Sequence, residues 1–116
     1  MTKDYAPLIA DIGAMTRKIR AEAPGTMAGF DAMAKAAMAD GALSPGLKEL
    51  IALAIGVATR CDGCIGYHAK ALVRLGVPRA QVMETLAVAT YMGGGPSLMY
   101  AADALRAYEQ FGGTSA

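Results

Sequence analysis

A chain of 116 residues, 54% hydrophobic and 18% charged, holds enough apolar material for one hydrophobic core and little for a second, so a single domain over residues 1–116 is expected. Its net charge is +1, with Lys and Arg scattered among Asp and Glu, which argues against nucleic acid and against an acidic membrane surface as partners. The longest apolar run, Leu50 to Ala58, is too short to cross a bilayer and the sequence opens without a signal-peptide core, so a cytoplasmic protein is expected.

Abundant Ala, no β-branched runs and turn residues that punctuate segments of helical length predict an all-α fold. A first helix is predicted over about residues 7–21, with Leu8, Ile12, Met15 and Ile19 at spacings of three and four, ended by Pro24-Gly25. A second, rich in Ala and Met, runs over about 26–39. Ser44-Pro45 is a restart, with Ser as N-cap and Pro at the first helical position. The third helix runs to about Thr59, carrying Glu49 and an apolar stretch expected to be buried on most sides.

The fourth helix holds Cys61, Cys64 and His68 and runs to Leu75, where Gly76-Val77-Pro78 stops it. A fifth covers about 79–92. Gly93-Gly94-Gly95-Pro96 then breaks the chain, and residues 97–111 form a last helix followed by a frayed tail, Gly112 to Ala116, giving about six helices. The triple glycine is no phosphate loop, because no Gly-Lys-Ser/Thr follows it. The apolar excess over what a small monomer needs points to subunit interfaces and a homo-oligomer, with the eight methionines as core and interface filler.

Both cysteines and the only histidine fall in one segment, Cys61-Asp62-Gly63-Cys64-Ile65-Gly66-Tyr67-His68. On a helix these three side chains share an arc of roughly 60°. Two cysteines so close cannot staple a fold, and in a reducing compartment such a pair reads as catalytic or metal-binding. Cys61 lies near the helix start, where free N–H groups and the macrodipole favour a thiolate; Cys64 lies one turn in, with His68 four residues on. Peroxide reduction and dithiol exchange are both chemically open to the pair, behind a sheltering cleft. A structural zinc site needs a fourth ligand, from Glu49 or a second subunit, and a third reading is plain burial of three core residues. Gly63 and Gly66 lie off the cysteine stripe and suggest a close helix contact, expected across a subunit boundary. In a simple helical hairpin turning near Arg60, Glu49 falls nearer His68 than Cys61.

The stretch Glu49-Leu50-Ile51-Ala52-Leu53-Ala54 followed by Cys61-x-x-Cys64-x-x-x-His68, with Tyr91-Met92-Gly93-Gly94-Gly95-Pro96 further on, resembles the AhpD-like alkylhydroperoxidase and carboxymuconolactone decarboxylase superfamily over roughly Ser44 to Ala101. The resemblance implies an all-α fold, trimers or hexamers and a sheltered active site. It implies that Cys64 attacks a peroxide, Cys61 resolves the product, and Glu49 and His68 form a proton relay. No cofactor is implied beyond the redox-active Cys61–Cys64 pair, recycled by an external dithiol donor such as a lipoyl group on a partner protein. One departure is Gly63, which stands where well-characterised AhpD proteins carry a second histidine. The alternatives are a carboxymuconolactone decarboxylase-type enzyme and a non-enzymatic redox- or zinc-responsive assembly module.

Overall fold

The computed structural model describes residues 2–114. Its elements are α1 (Tyr5–Glu22), α2 (Pro24–Met38), α3 (Pro45–Ala58), α4 (Asp62–Arg74) and α5 (Arg79–Gln110), with no strand among the described residues. The all-α expectation holds, with five helical elements rather than about six.

The difference lies at the glycines. Gly94 alone leaves helical geometry, at φ 72° and ψ −155°, a left-handed backbone open to glycine, and Pro96 restarts the helix behind it. A straight helix of this length would run to about 48 Å. Yet Arg79 at its start donates to Glu109 at its end over 2.6 Å, so α5 folds back on itself into two antiparallel arms. The separation of the two arms is as expected; the turn between them is a single residue.

Other boundaries move for local reasons. Pro24 opens α2 as its first residue instead of standing between the first two helices, because the missing N–H is spare at a helix start. Ser44 caps α3 as expected, its hydroxyl accepting from Leu47 N–H at 3.2 Å. Of the tail expected to fray, Ser115 and Ala116 lie outside the described residues. Gly112 and Gly113 cap α5: Gly113 N–H donates to Tyr108 O at 2.8 Å, and Thr114 O accepts from Arg79 at 2.5 Å.

The core forms where α3, α4 and α5 meet, with Leu53 and Val57, Ile65, Ala69 and Leu72, and Val82, Ala104 and Ala107 fully enclosed. From α1 only Tyr5 and Ile9 are buried; Met15 and Ile19, expected on the inner stripe, are more than half exposed. No described methionine is buried, so the methionines do not fill the core. Helix α2 buries no residue at all and leaves Phe30 and Met33 at 57% and 61% exposure.

Candidate functional site

The site grows from the corner between α3 and α4. Helix α3 is followed by its cap residue Thr59 and then by Arg60 in the left-handed region at φ 57°. Arg60 N–H donates to Val57 O at 3.2 Å and Cys61 N–H to Gly56 O at 2.9 Å, the paired bonds that satisfy the last carbonyls of a helix. Cys61 then caps the next helix: it precedes Asp62 in extended geometry, and its Sγ accepts from Cys64 N–H at 3.2 Å. One residue therefore closes α3 and opens α4. Cys61 and Cys64 are joined as a disulfide, with their Cα atoms 5.2 Å apart.

Two glycine contacts fix α4 in place. A Cβ at Gly56 would stand 3.1 Å from Cys64 Cβ, so its absence lets α3 close on the cysteine turn. A Cβ at Gly66 would fall inside the side chain of Ile9 and 3.2 Å from Tyr5 Cδ1, and one at Gly63 would lie 3.0 Å from Ile12 Cδ1. The close contact expected of Gly63 and Gly66 is thus real, but α1 of the same chain makes it rather than a neighbouring subunit. Gly56 was open to the same sequence argument, as the glycine in an otherwise apolar helical run.

Glu49 on α3 and His68 on α4 meet across the hairpin, Oε2 to Nδ1, at 2.6 Å. Their side chains are 13% and 30% exposed, so the pair is sheltered but reachable. With Glu49 accepting the Nδ1 proton, Nε2 is the ring nitrogen free to exchange one. Cys61 and Cys64 are likewise half-buried.

Cavities away from the cysteines include one of about 500 Å³ between Tyr67, Arg74 and Phe111 and one of about 480 Å³ between the arms of α5. Among the described residues no group of three or more His, Cys, Asp or Glu side chains is arranged to hold a metal ion. Among the described residues no helix is long and apolar enough to cross a membrane.

Three further groups, Lys3, Asp62 and Asp103, meet at the first turn of α4 and were not singled out from the sequence. Lys3 bridges Asp62, which follows Cys61, to Asp103 on α5. No sequence signal marks this contact, which joins residues 59 and 100 positions apart.

The profile of the carboxymuconolactone decarboxylase family matches residues 24–107, a span holding Glu49, Cys61, Cys64 and His68. The chain belongs to the carboxymuconolactone decarboxylase family. A solved family protein from Legionella pneumophila, in its apo form, is 51% identical and superposes with a TM-score of 0.91, covering 92% of this chain and 96% of that one. An uncharacterized protein of Cupriavidus necator is 37% identical over 94% of this chain and 96% of its own length. Uncharacterized protein 4 in the cox locus of Paracoccus denitrificans is 38% identical over 72% of this chain and 76% of its own. Family membership and the cysteine pair agree with the AhpD-like resemblance, and the family profile reaches back to Pro24, well before Ser44. Lys3 and all of α1 lie outside the matched span.

Proposed function

We propose that this family member is a thiol-dependent, peroxidase-like oxidoreductase that reduces an organic hydroperoxide through Cys61 and Cys64 and is recycled by a dithiol donor. The observation that carries the reading is a disulfide at a helix N-terminus with a carboxylate-bound imidazole one turn further along the same helix. In this chemistry the Cys64 thiolate attacks the terminal peroxide oxygen and the O–O bond breaks. A proton reaches the departing alkoxide, and Cys64 becomes a sulfenic acid. Cys61 then displaces water to form the disulfide, and a dithiol such as a lipoyl group on a partner protein reduces it, taking the oxidising equivalents away as its own disulfide. His68 supplies or takes the proton, and Glu49 holds the imidazole in one tautomer and orientation.

The assembly in this reading is a homo-oligomer, a trimer or hexamer. Support comes from α2, which buries nothing in its own chain, and from exposed Val88, Tyr91 and Met92 near the turn of α5. Covering such surface on a neighbour is the usual way a small chain removes it from water. It would also roof the half-exposed cysteine face.

The reading is tested by organic hydroperoxide consumption with dihydrolipoamide as donor, wild type beside Cys64→Ser. Turnover that disappears in the variant supports it, and a wild type without turnover overturns it. Lactone decarboxylation, the activity in the family's name, needs no cysteine pair; turnover of a muconolactone that survives cysteine alkylation would favour that activity instead.

A further inference from the structure

Charges that the chemistry above does not use meet beside the cysteine pair. Lys3 Nζ donates to Asp62 Oδ1 at 2.8 Å and to Asp103 Oδ2 at 2.7 Å, and it stands 4.8 Å from the ring centroid of Tyr100. The segment that carries it is strapped down at both sides. Gln110 Nε2 donates to Lys3 O at 2.8 Å, and Tyr5 N–H donates back to Gln110 Oε1 at 2.9 Å. An otherwise free N-terminal segment is thereby fixed so that its ammonium reaches the first turn of α4.

Asp62 has two opposed effects at that turn. As the first residue of α4 its carboxylate suits the positive end of the helix. As the neighbour of Cys61 it opposes ionisation of the thiol, since like charge disfavours a thiolate. The ion-paired charges of the cluster balance, Lys3 and Arg106, the latter 3.8 Å from Asp103, facing Asp62 and Asp103, while exposed Asp4 beside Lys3 and exposed Arg60 beside Cys61 in the chain add one charge of each sign. Tyr5 is enclosed and uncharged, its phenol pushed up chiefly by burial, while Glu49 and His68 pair with each other. Without Lys3 the cluster carries a net negative charge next to the redox pair.

We propose that Lys3 is a positioning residue of the redox pair, whose ammonium neutralises Asp62 and so keeps Cys61 readily ionised in the reduced protein. The proposal deepens the thiol reading and rests on it, because it gives the resolving cysteine its reactivity. Asp103 and Asp62 hold the Lys3 pKa well above its ordinary value, so Lys3 stays charged across any pH at which Cys61 titrates. Two geometric facts distinguish Lys3 from a surface lysine: it bridges two carboxylates on different helices, and one of them lies between the cysteines in the chain.

The test is the pH profile of Cys61 alkylation by iodoacetamide in the full-length protein, reduced with dithiothreitol that is then removed, followed by peptide mass spectrometry. The thiolate displaces iodide, so the rate reports ionisation directly. Lys3→Met is expected to move the profile to higher pH and slow alkylation near neutral pH by about threefold. Asp62→Asn is expected to move it to lower pH, and Lys3→Arg to leave it where it was. A lysine that only clamps the turn gives a different pattern: Lys3→Met and Asp62→Asn break the same contact and shift the profile the same way. That pattern overturns the proposal, as does an unmoved profile in Lys3→Met or a Lys3→Arg profile that follows Lys3→Met. No peroxide is involved, so a protein with the expected profiles but no hydroperoxide turnover loses the peroxidase reading and keeps this one. A wild-type pair that dithiothreitol cannot reduce overturns both.

Discussion

Glu49 Oε2 and His68 Nδ1 stand 2.6 Å apart, tying the second turn of α3 to the middle of α4 at a point one turn beyond Cys64. The imidazole is thereby fixed by a partner on another helix, and the cysteine turn by backbone bonds of its own. Replacing Glu49 by Gln keeps the shape and removes the charge. In the hydroperoxide assay Glu49→Gln is expected to lower turnover by about tenfold or more, with most of the loss in kcat, because a loosely held imidazole is a poorer proton donor and acceptor. Unchanged turnover in Glu49→Gln would remove the pair from the relay.

Gly66 sits where α1 crosses α4, with Ile9 and Tyr5 against its backbone. Gly66→Ala is expected to destabilise the protein by about 1–3 kcal/mol, since the new methyl must displace enclosed side chains. Gly29, in the middle of α2, has nothing within 4 Å of a Cβ position. Gly29→Ala is expected to be neutral or to stabilise by about 0.5–1 kcal/mol through helix propensity. Denaturant unfolding of both variants checks the contrast.

Arg60 is the one described non-glycine residue at positive φ. A side chain there carries the strain of left-handed backbone, and the position ends a helix, where glycine is favoured. Arg60→Gly is expected to raise unfolding stability by about 0.5–1 kcal/mol, after allowing for the greater freedom of glycine in the unfolded chain. A lower urea midpoint would contradict this.

Phe30 and Met33 project from α2 and are more than half exposed in their own chain. If α2 covers a neighbouring subunit, a charge at either position is buried unpaired on assembly. Met33→Glu is expected to shift the protein to a smaller species in size-exclusion chromatography and light scattering. An unchanged mass would place the interface elsewhere.

Local signals carried much of this architecture, and their failures have physical causes. The Ser44-Pro45 restart and the Gly76 stop were legible because each rests on chemistry confined to a few neighbouring residues: Val77 N–H donates to Leu72 O at 3.0 Å around Gly76 at φ 70°. The approach of Glu49 to His68 followed from the rise of a helix and the place where the hairpin turns. What the sequence concealed were contacts of long separation. Lys3 carries no sequence signal of a role at the cysteines until the fold brings Asp62 and Asp103 to it. The first helix misled because Met15 and Ile19 carry the apolar period away from this chain's own core. Periodicity shows that a face is apolar without showing what covers it.

The corner at Cys61 has one further consequence. The bonds from Arg60 and Cys61 N–H to α3 carbonyls run through the main chain and involve neither sulfur. Opening the disulfide therefore removes no bond that terminates α3, and the cap on Cys64 N–H needs only the Cys61 sulfur, which remains after reduction. The disulfide is mounted on a frame that does not need it. Under the proposed thiol chemistry, electrons would enter and leave this site while the two helices that present it stay in register.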